Sequence, residues 1–184
     1  MVESITAVEE NMTAILSTIS RKKTVTIASD GGLKGKQGPF GWLITQQLKL
    51  LLQGSGPMDS HPDTSTSTRS ELWGYASALL SSLTLISRSG GCKPKCQLRW
   101  VVDSTAAISR VRKFLKWGHL KRGRQAPDID VLSLISKYYK ELWKRVRIRW
   151  VKAHQDSAEG TVIAKLSIPA QLNIKMDHSV GGIC

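Results

Sequence analysis

The 184-residue chain contains no uninterrupted apolar run of the roughly 18 residues that a membrane-crossing helix requires, so no segment is expected to span a bilayer. Residues 1–20 lack lysine and arginine and carry Glu3, Glu9 and Glu10 instead, whereas an export signal opens on positive charge; this start does not read as one. With only three cysteines a disulfide framework is not expected, and an intracellular setting, cytoplasm or nucleus, follows. No stretch repeats another, so a repeat architecture is not expected. Acidic residues are scarce as well: 14 Asp and Glu stand against 27 Lys and Arg, a formal net charge of +13. Such an excess favours a polyanionic partner, either nucleic acid or an anionic surface. With 41% hydrophobic residues the chain can bury one substantial core, which predicts a single domain.

In residues 1–23 the apolar positions Ile5, Val8, Met12, Ile15 and Ile19 recur at helical spacing, which predicts an acidic amphipathic helix or an upstream linker. The domain proper is expected over residues 24–184. "KTVTIAS" predicts a first strand, and "GPFGWLI" and "LKLLLQGSG" two more, joined through "TQQ" as a hairpin. After a polar loop over residues 54–68, Leu72, Ala76, Leu79, Leu83 and Ile86 mark a helix. "CQLRWVVDS" and "RVRIRWVKAH" are further strands, separated by two helices, and "PAQLNIKMDHSV" opens a closing helix. The order β-ββ-α-β-αα-β-α predicts an α/β fold: an antiparallel meander of strands 1–3, then crossovers that make strands 4 and 5 parallel to strand 1.

This topology sets a chemical question. Asp30, in "IASDGG", and Asp103, in "VVDS", each fall at the carboxyl end of a strand. Neighbouring parallel strands lie roughly 4.8 Å apart, so the two carboxylates converge at the edge where open α/β sheets bind ligands. They repel unless a cation bridges them. Each acidic residue also has a plainer reading. Asp30 suits a turn before two glycines. Thr68-Arg69-Ser70-Glu71 fits a capping box. Asp103 is able to cap the following helix, and Asp177 to sit on the surface. The argument for a site is joint: two strand-end carboxylates, one in the first turn of a helix and one in the closing segment make an oxygen-rich set suited to a pair of magnesium or manganese ions.

Other patterns fall away. "GGLKGKQG" is one residue short of a phosphate-binding loop and has Gln37 where Ser or Thr is required. Cys92 and Cys96 lack a second ligand pair for zinc. The tryptophans, among them Trp42, Trp100 and Trp150 on strands, read mostly as core. "RVRKFLKWGHLKRGR" contains Arg110, Arg112, Lys113, Lys116, Lys121, Arg122 and Arg124 with interleaved aromatics, and predicts a grip on a phosphate backbone.

Five stretches taken in order, "IASDGG", "STRSELWGYASALL", "LRWVVDSTAAI", "RWVKAHQD" and "LNIKMD", resemble the ribonuclease H domain of retrotransposon reverse transcriptases. The resemblance covers roughly residues 24–180. It implies a ribonuclease H-like fold, a five-stranded mixed sheet flanked by helices, and cleavage of the RNA strand of an RNA–DNA hybrid with two magnesium or manganese ions. It further implies Asp30, Glu71, Asp103 and Asp177 as metal-binding carboxylates, His154 as the histidine of a mobile loop, and Asn173 just ahead of the last carboxylate. Thr68, Ser70 and Asn173 are then expected to meet the hybrid, whose RNA strand offers 2′-hydroxyls in a wide minor groove. A reverse transcriptase domain upstream in the same polyprotein is an implied partner. After Asp177 only "HSVGGIC" follows, so the closing helix is expected to be short. A non-catalytic nucleic-acid-binding domain of the same fold, or another nuclease or transposase built on such a sheet, are the alternatives.

Overall fold

The computed structural model describes residues 4–7, 17, 24–33, 38–58, 65–88, 97–117, 128–142, 146–157 and 161–181. Six strands form one sheet in the order β1-β4-β3-β2-β5-β6. They are β1 (Ser4–Ala7), β2 (Thr24–Gly31), β3 (Pro39–Gln46), β4 (Lys49–Pro57), β5 (Gln97–Val102) and β6 (Val146–Trp150). Four helices are described along their length: α1 (Ser67–Arg88), α2 (Thr105–Trp117), α3 (Ile129–Glu141) and α4 (Ile168–Gly181), the last preceded by a 3-10 turn at Ile163–Lys165. Strands β2, β3 and β4 are antiparallel, and β2, β5 and β6 parallel, as the element order predicts. The β3–β4 hairpin turns at Gln47 and Leu48, with Gln47 at a φ of 55°.

The N-terminal segment departs from expectation. Ser4–Ala7 is a strand, not helix, and lies antiparallel on β4, with Ser4 opposite Ser55 and Ala7 opposite Leu52. Helical spacing of apolar residues competes here with the unpaired edge of β4, whose backbone donors and acceptors a short run containing Ile5 and Thr6 can satisfy. Of the rest of the expected helix only Ser17 is described, and it is helical, as expected.

The sheet has two different faces. On one, Val25, Ile27, Phe40, Trp42, Leu98, Trp100, Val102 and Val146 pack against the apolar sides of α1, α2 and α3 to form the main core. Tyr75 of α1 stacks on Trp100, ring centroids 3.6 Å apart, and burial pushes its hydroxyl pKa well above the ordinary value. The indole N–H groups of the two buried strand tryptophans are satisfied: Trp42 donates to Ser77 Oγ and Trp100 to Ser29 Oγ. On the other face a small cluster of Ala28, Leu43, Leu172 and Met176 seats α4 over β2 and β3. No helix among the described residues is long and apolar enough to cross a membrane.

Candidate metal centre

Along β2 the burial alternation turns Val25 and Ile27 to the main core and Ala28 towards α4; Asp30 follows on the α4 side. On β5, Ala28 has Val101 as its partner, so Asp30 and Asp103, each two residues further, stand level on adjacent parallel strands. Glu71 enters from the first turns of α1. One carboxylate oxygen from each of Asp30, Glu71 and Asp103 lies within 4.8 Å of the others; Glu71 is buried and the two aspartates half-buried.

Neighbours have taken over the plainer roles of these acids. Thr66 caps α1, its Oγ1 accepting from the Arg69 backbone N–H at 3.0 Å, so the expected box between Thr68 and Glu71 does not form and Glu71 faces the site. Ser104 caps α2 by accepting from Ala107 N–H at 3.1 Å, which leaves the Asp103 carboxylate free of that duty. It accepts instead from Asn173 Nδ2 of α4 at 3.1 Å. Asp30 accepts from the Gly31 N–H at 2.8 Å, but Gly31 is a strand residue paired with Phe40, not a turn.

Gly31 is where α1 meets the sheet. A Cβ there would lie 2.4 Å from the Glu71 nitrogen and 2.7 Å from Ser70 Cβ, so no side chain fits between β2 and the start of the helix. Ser67 Oγ donates to the Gly31 carbonyl at 3.3 Å, and Ser70 Oγ to that of Pro39. A glycine between the two elements thus sets how far Glu71 stands from Asp30. Gly31→Ala is expected to cost about 1–3 kcal/mol by overpacking and to push Glu71 out of register. Thermal melts should show a lower melting temperature and a smaller stabilisation by added magnesium than the parent shows.

An ion network supports the same helix end. Arg69, in the first turn of α1, donates to Asp130 Oδ1 at 2.8 Å and to Asp128 Oδ1 at 3.5 Å, and Arg110 of α2 pairs with the other oxygen of Asp128. The Asp128 side chain is only 3% exposed, and its backbone takes a left-handed φ of 64° at the entrance to α3. The Arg69 hydrogen bonds hold the Asp130 carboxyl below the usual aspartate range. Both aspartates stand at the opening of α3, and three elements converge on them.

The remaining expected site residues divide. His154 is exposed in the loop after β6 at a φ of 48°, with its carbonyl accepting from the Ser157 N–H and hydroxyl at 3.3 and 2.6 Å. It lies outside the carboxylate cluster. Asp177 lies on α4 one turn past Asn173, and its side chain is outside the described residues. The next residue, His178, contacts Asp156 at 3.3 Å and so ties α4 to the His154 loop. Thr68 is half-buried. Ser70 is wholly buried on Pro39, so it anchors the start of α1 and does not present its hydroxyl to a ligand. Of the basic run, Arg112, Lys113 and Lys116 are exposed on α2, whereas Arg110 turns inward to Asp128. Lys121, Arg122 and Arg124 lie outside the described residues. Trp150 is not core: it is 51% exposed, its indole N–H donating to the Asp103 carbonyl at 2.9 Å.

No protein-family model matches the chain, and no curated protein matches it in sequence. Solved structures do. The ribonuclease H1 named LC11, isolated from compost by a metagenomic approach, matches with a TM-score of 0.58 over 87% of this chain and 94% of its own, at 14% identity. The chain has a ribonuclease H-like fold. A second structure of LC11 ribonuclease H1, in complex with an RNA/DNA hybrid, matches with a TM-score of 0.55 over 72% of this chain and 88% of its own, again at 14% identity. The prototype foamy virus protease-reverse transcriptase matches with a TM-score of 0.60 at 15% identity; the match covers 89% of this chain and 21% of the viral one. The five-stranded mixed sheet of the ribonuclease H-like fold is β4-β3-β2-β5-β6 here, and β1 adds a sixth strand at the edge.

The donor set fits divalent ions. Three carboxylates held this close repel one another, and their oxygen-only chemistry suits magnesium or manganese better than zinc or copper.

Proposed function

We propose that this protein is a metal-dependent endonuclease that hydrolyses the RNA strand of RNA–DNA hybrids and acts beside a reverse transcriptase domain. The observation that carries the reading is the convergence of Asp30, Glu71 and Asp103, with ligand oxygens all within 4.8 Å of one another, at the edge of a ribonuclease H-like sheet. Matching structures support it: one LC11 structure holds an RNA/DNA hybrid, and the viral match is a protease-reverse transcriptase.

In this reading Asp30, Glu71, Asp103 and Asp177 hold a pair of magnesium or manganese ions. Bound there, such ions supply an activated water and stabilise negative charge on the phosphate. Asn173 keeps one Asp103 oxygen engaged and so orients the other. Arg112, Lys113 and Lys116 of α2, together with Lys121, Arg122 and Arg124, attract the phosphate backbone by releasing its counterions. Thr68 meets the hybrid near the cut, whereas Asn173, 2% exposed, acts only through Asp103. His154 exchanges a proton with the phosphate or the leaving oxygen, a task an imidazole can perform because its ring nitrogens both accept and donate.

The test is direct. RNA–DNA hybrid, duplex RNA and duplex DNA are incubated with the protein, with magnesium and with chelator. Cutting of the hybrid's RNA strand that needs magnesium is the expected result. No cutting leaves a non-catalytic binding domain, and comparable cutting of duplex DNA makes it a transposase-like nuclease. For His154 the variant of choice is Asn, because asparagine tolerates the left-handed backbone found there. His154→Asn is expected to slow turnover by roughly a hundredfold to ten-thousandfold without moving the magnesium midpoint. An unchanged turnover returns His154 to a surface role.

A further inference from the structure

The parallel ladder between β5 and β6 brings arginines side by side. Arg99 has Arg147 as its direct partner, and Val101 has Arg149. Because Leu98, Trp100, Val102 and Val146 all turn to the main core, the alternating residues Arg99, Arg147 and Arg149 stand on the opposite face, the one α4 partly covers. Helix α4 seats on β2 and β3 through Leu172 and Met176, and β6 is left bare: Arg147 and Arg149 are exposed and Arg99 is half-buried. Like charges facing each other across a ladder destabilise it. None of the three arginines makes an ion pair or hydrogen bond with another described side chain. Among the described residues no acid offsets that cost.

We propose that Arg99, Arg147 and Arg149 form a second phosphate-binding track that holds a single-stranded extension of the nucleic acid as it leaves the carboxylate site along the outer edge of the sheet. It rests on the polynucleotide reading of that site, though not on its cutting activity. Three observations favour a single strand over a duplex. The track is narrow, two strands wide, or about 10 Å. Its exposed members Arg147 and Arg149 are separated by two residues of extended chain, about 6.6 Å, which matches a succession of phosphates on one backbone. Arg149 is partnered with Val101, two residues before Asp103, so the track starts next to the site and runs away from it. The α2 basic face lies with the main core on the other side of the sheet from these arginines.

The test compares two RNA–DNA hybrids of equal duplex length, one blunt and one with a single-stranded overhang of about ten nucleotides, bound in chelator so that nothing is cut. The parent protein is expected to bind the overhang hybrid more tightly. Arg147→Gln with Arg149→Gln should remove most of that advantage, weakening overhang binding roughly tenfold near 0.1 M salt and flattening its salt slope by about 1.4, near 0.7 for each lost single-strand phosphate contact. Blunt-hybrid affinity should not move. The double variant relieves a like-charge pair, so its melting temperature should be equal to the parent's or higher, which separates lost binding from lost fold. An equal loss on both hybrids would assign the arginines to the duplex grip and overturn the track. No loss on either would make them a solvated surface. Loss of binding to phosphatidylserine vesicles with unchanged overhang affinity would assign them to a membrane instead. Failure of the hybrid-cleavage test with the overhang effect intact would leave the track standing and retire the nuclease reading.

Discussion

Asp103→Asn is expected to lower RNA-strand cleavage by about a thousandfold or more while leaving hybrid affinity unchanged or slightly tighter. Ion-supplied stabilisation of the transition state is worth several kcal/mol, and each ~1.4 kcal/mol is a factor of ten in rate. In the proposed function affinity comes from a different part of the molecule, the basic residues of α2, through counterion release. The same substitution should act with opposite sign on the metal-free protein. Three carboxylates within 4.8 Å oppose one another, and an amide at position 103 removes one of the charges. The amide oxygen still accepts from Asn173, so the packing is kept. In chelator the variant should therefore melt above the parent, and added magnesium should raise its melting temperature less. Retained cleavage would show that the triad does not carry the chemistry. A lower melting temperature in chelator would show that Asp103 is a structural residue.

The second large effect concerns stability. Arg69→Met is expected to cost about 3 kcal/mol, at the low end of what breaking a buried ion pair costs, because Asp128 keeps Arg110. Adding Asp128→Asn to that variant removes the buried charge left behind and should recover much of the loss; asparagine also tolerates the φ of 64° at that position. Urea midpoints of the two variants and the parent check this, and a double variant no better than the single would refute the network as an electrostatic unit. The pH dependence has a definite sign. Arg69 lowers the folded-state pKa of Asp130 below its unfolded value, so the stabilisation is complete above the ordinary aspartate range and is lost as pH falls through that range towards the folded value. Asp130 is 54% exposed, so solvent and salt screen the effect, which should be visible but small. Asp130→Asn should flatten the acid limb of the stability curve.

Strands β2–β6 and the four helices were legible because their apolar positions keep a period of two or of 3.6 and are bounded by polar or glycine-rich stretches. The Asp30–Asp103 pairing was legible because parallel crossovers leave few ways to arrange β2 and β5. What was not legible depends on partners far away in sequence. Periodicity alone favours a helix over Ser4–Ala7, and the free edge of β4 decides otherwise. Whether Thr66 or Thr68 caps α1 turns on a difference of two residues in where the helix begins, within the ordinary uncertainty of helix ends. Asp128 and Asp130 look like surface acids because Arg69 lies 59 and 61 residues away from them. Trp150 fits a strand pattern as well as Trp100 does, yet only Trp100 has strands on both sides; β6 is the last strand, and its tryptophan is left half in solvent.

The way the three carboxylates are distributed also sets an order in time. Asp30 ends β2, which pairs with β3 through a hairpin chain reversal, a local and fast event. Asp103 follows β5, whose parallel pairing with β2 has to close a loop that includes all of β3, β4 and α1. Glu71 acquires its neighbours only when α1 has docked over Gly31. A chain still being synthesised can therefore complete its hairpins long before it can bind an ion. In the proposed function the hydrolytic capacity arrives last, with the parallel half of the sheet, and an incomplete chain does not yet cut RNA.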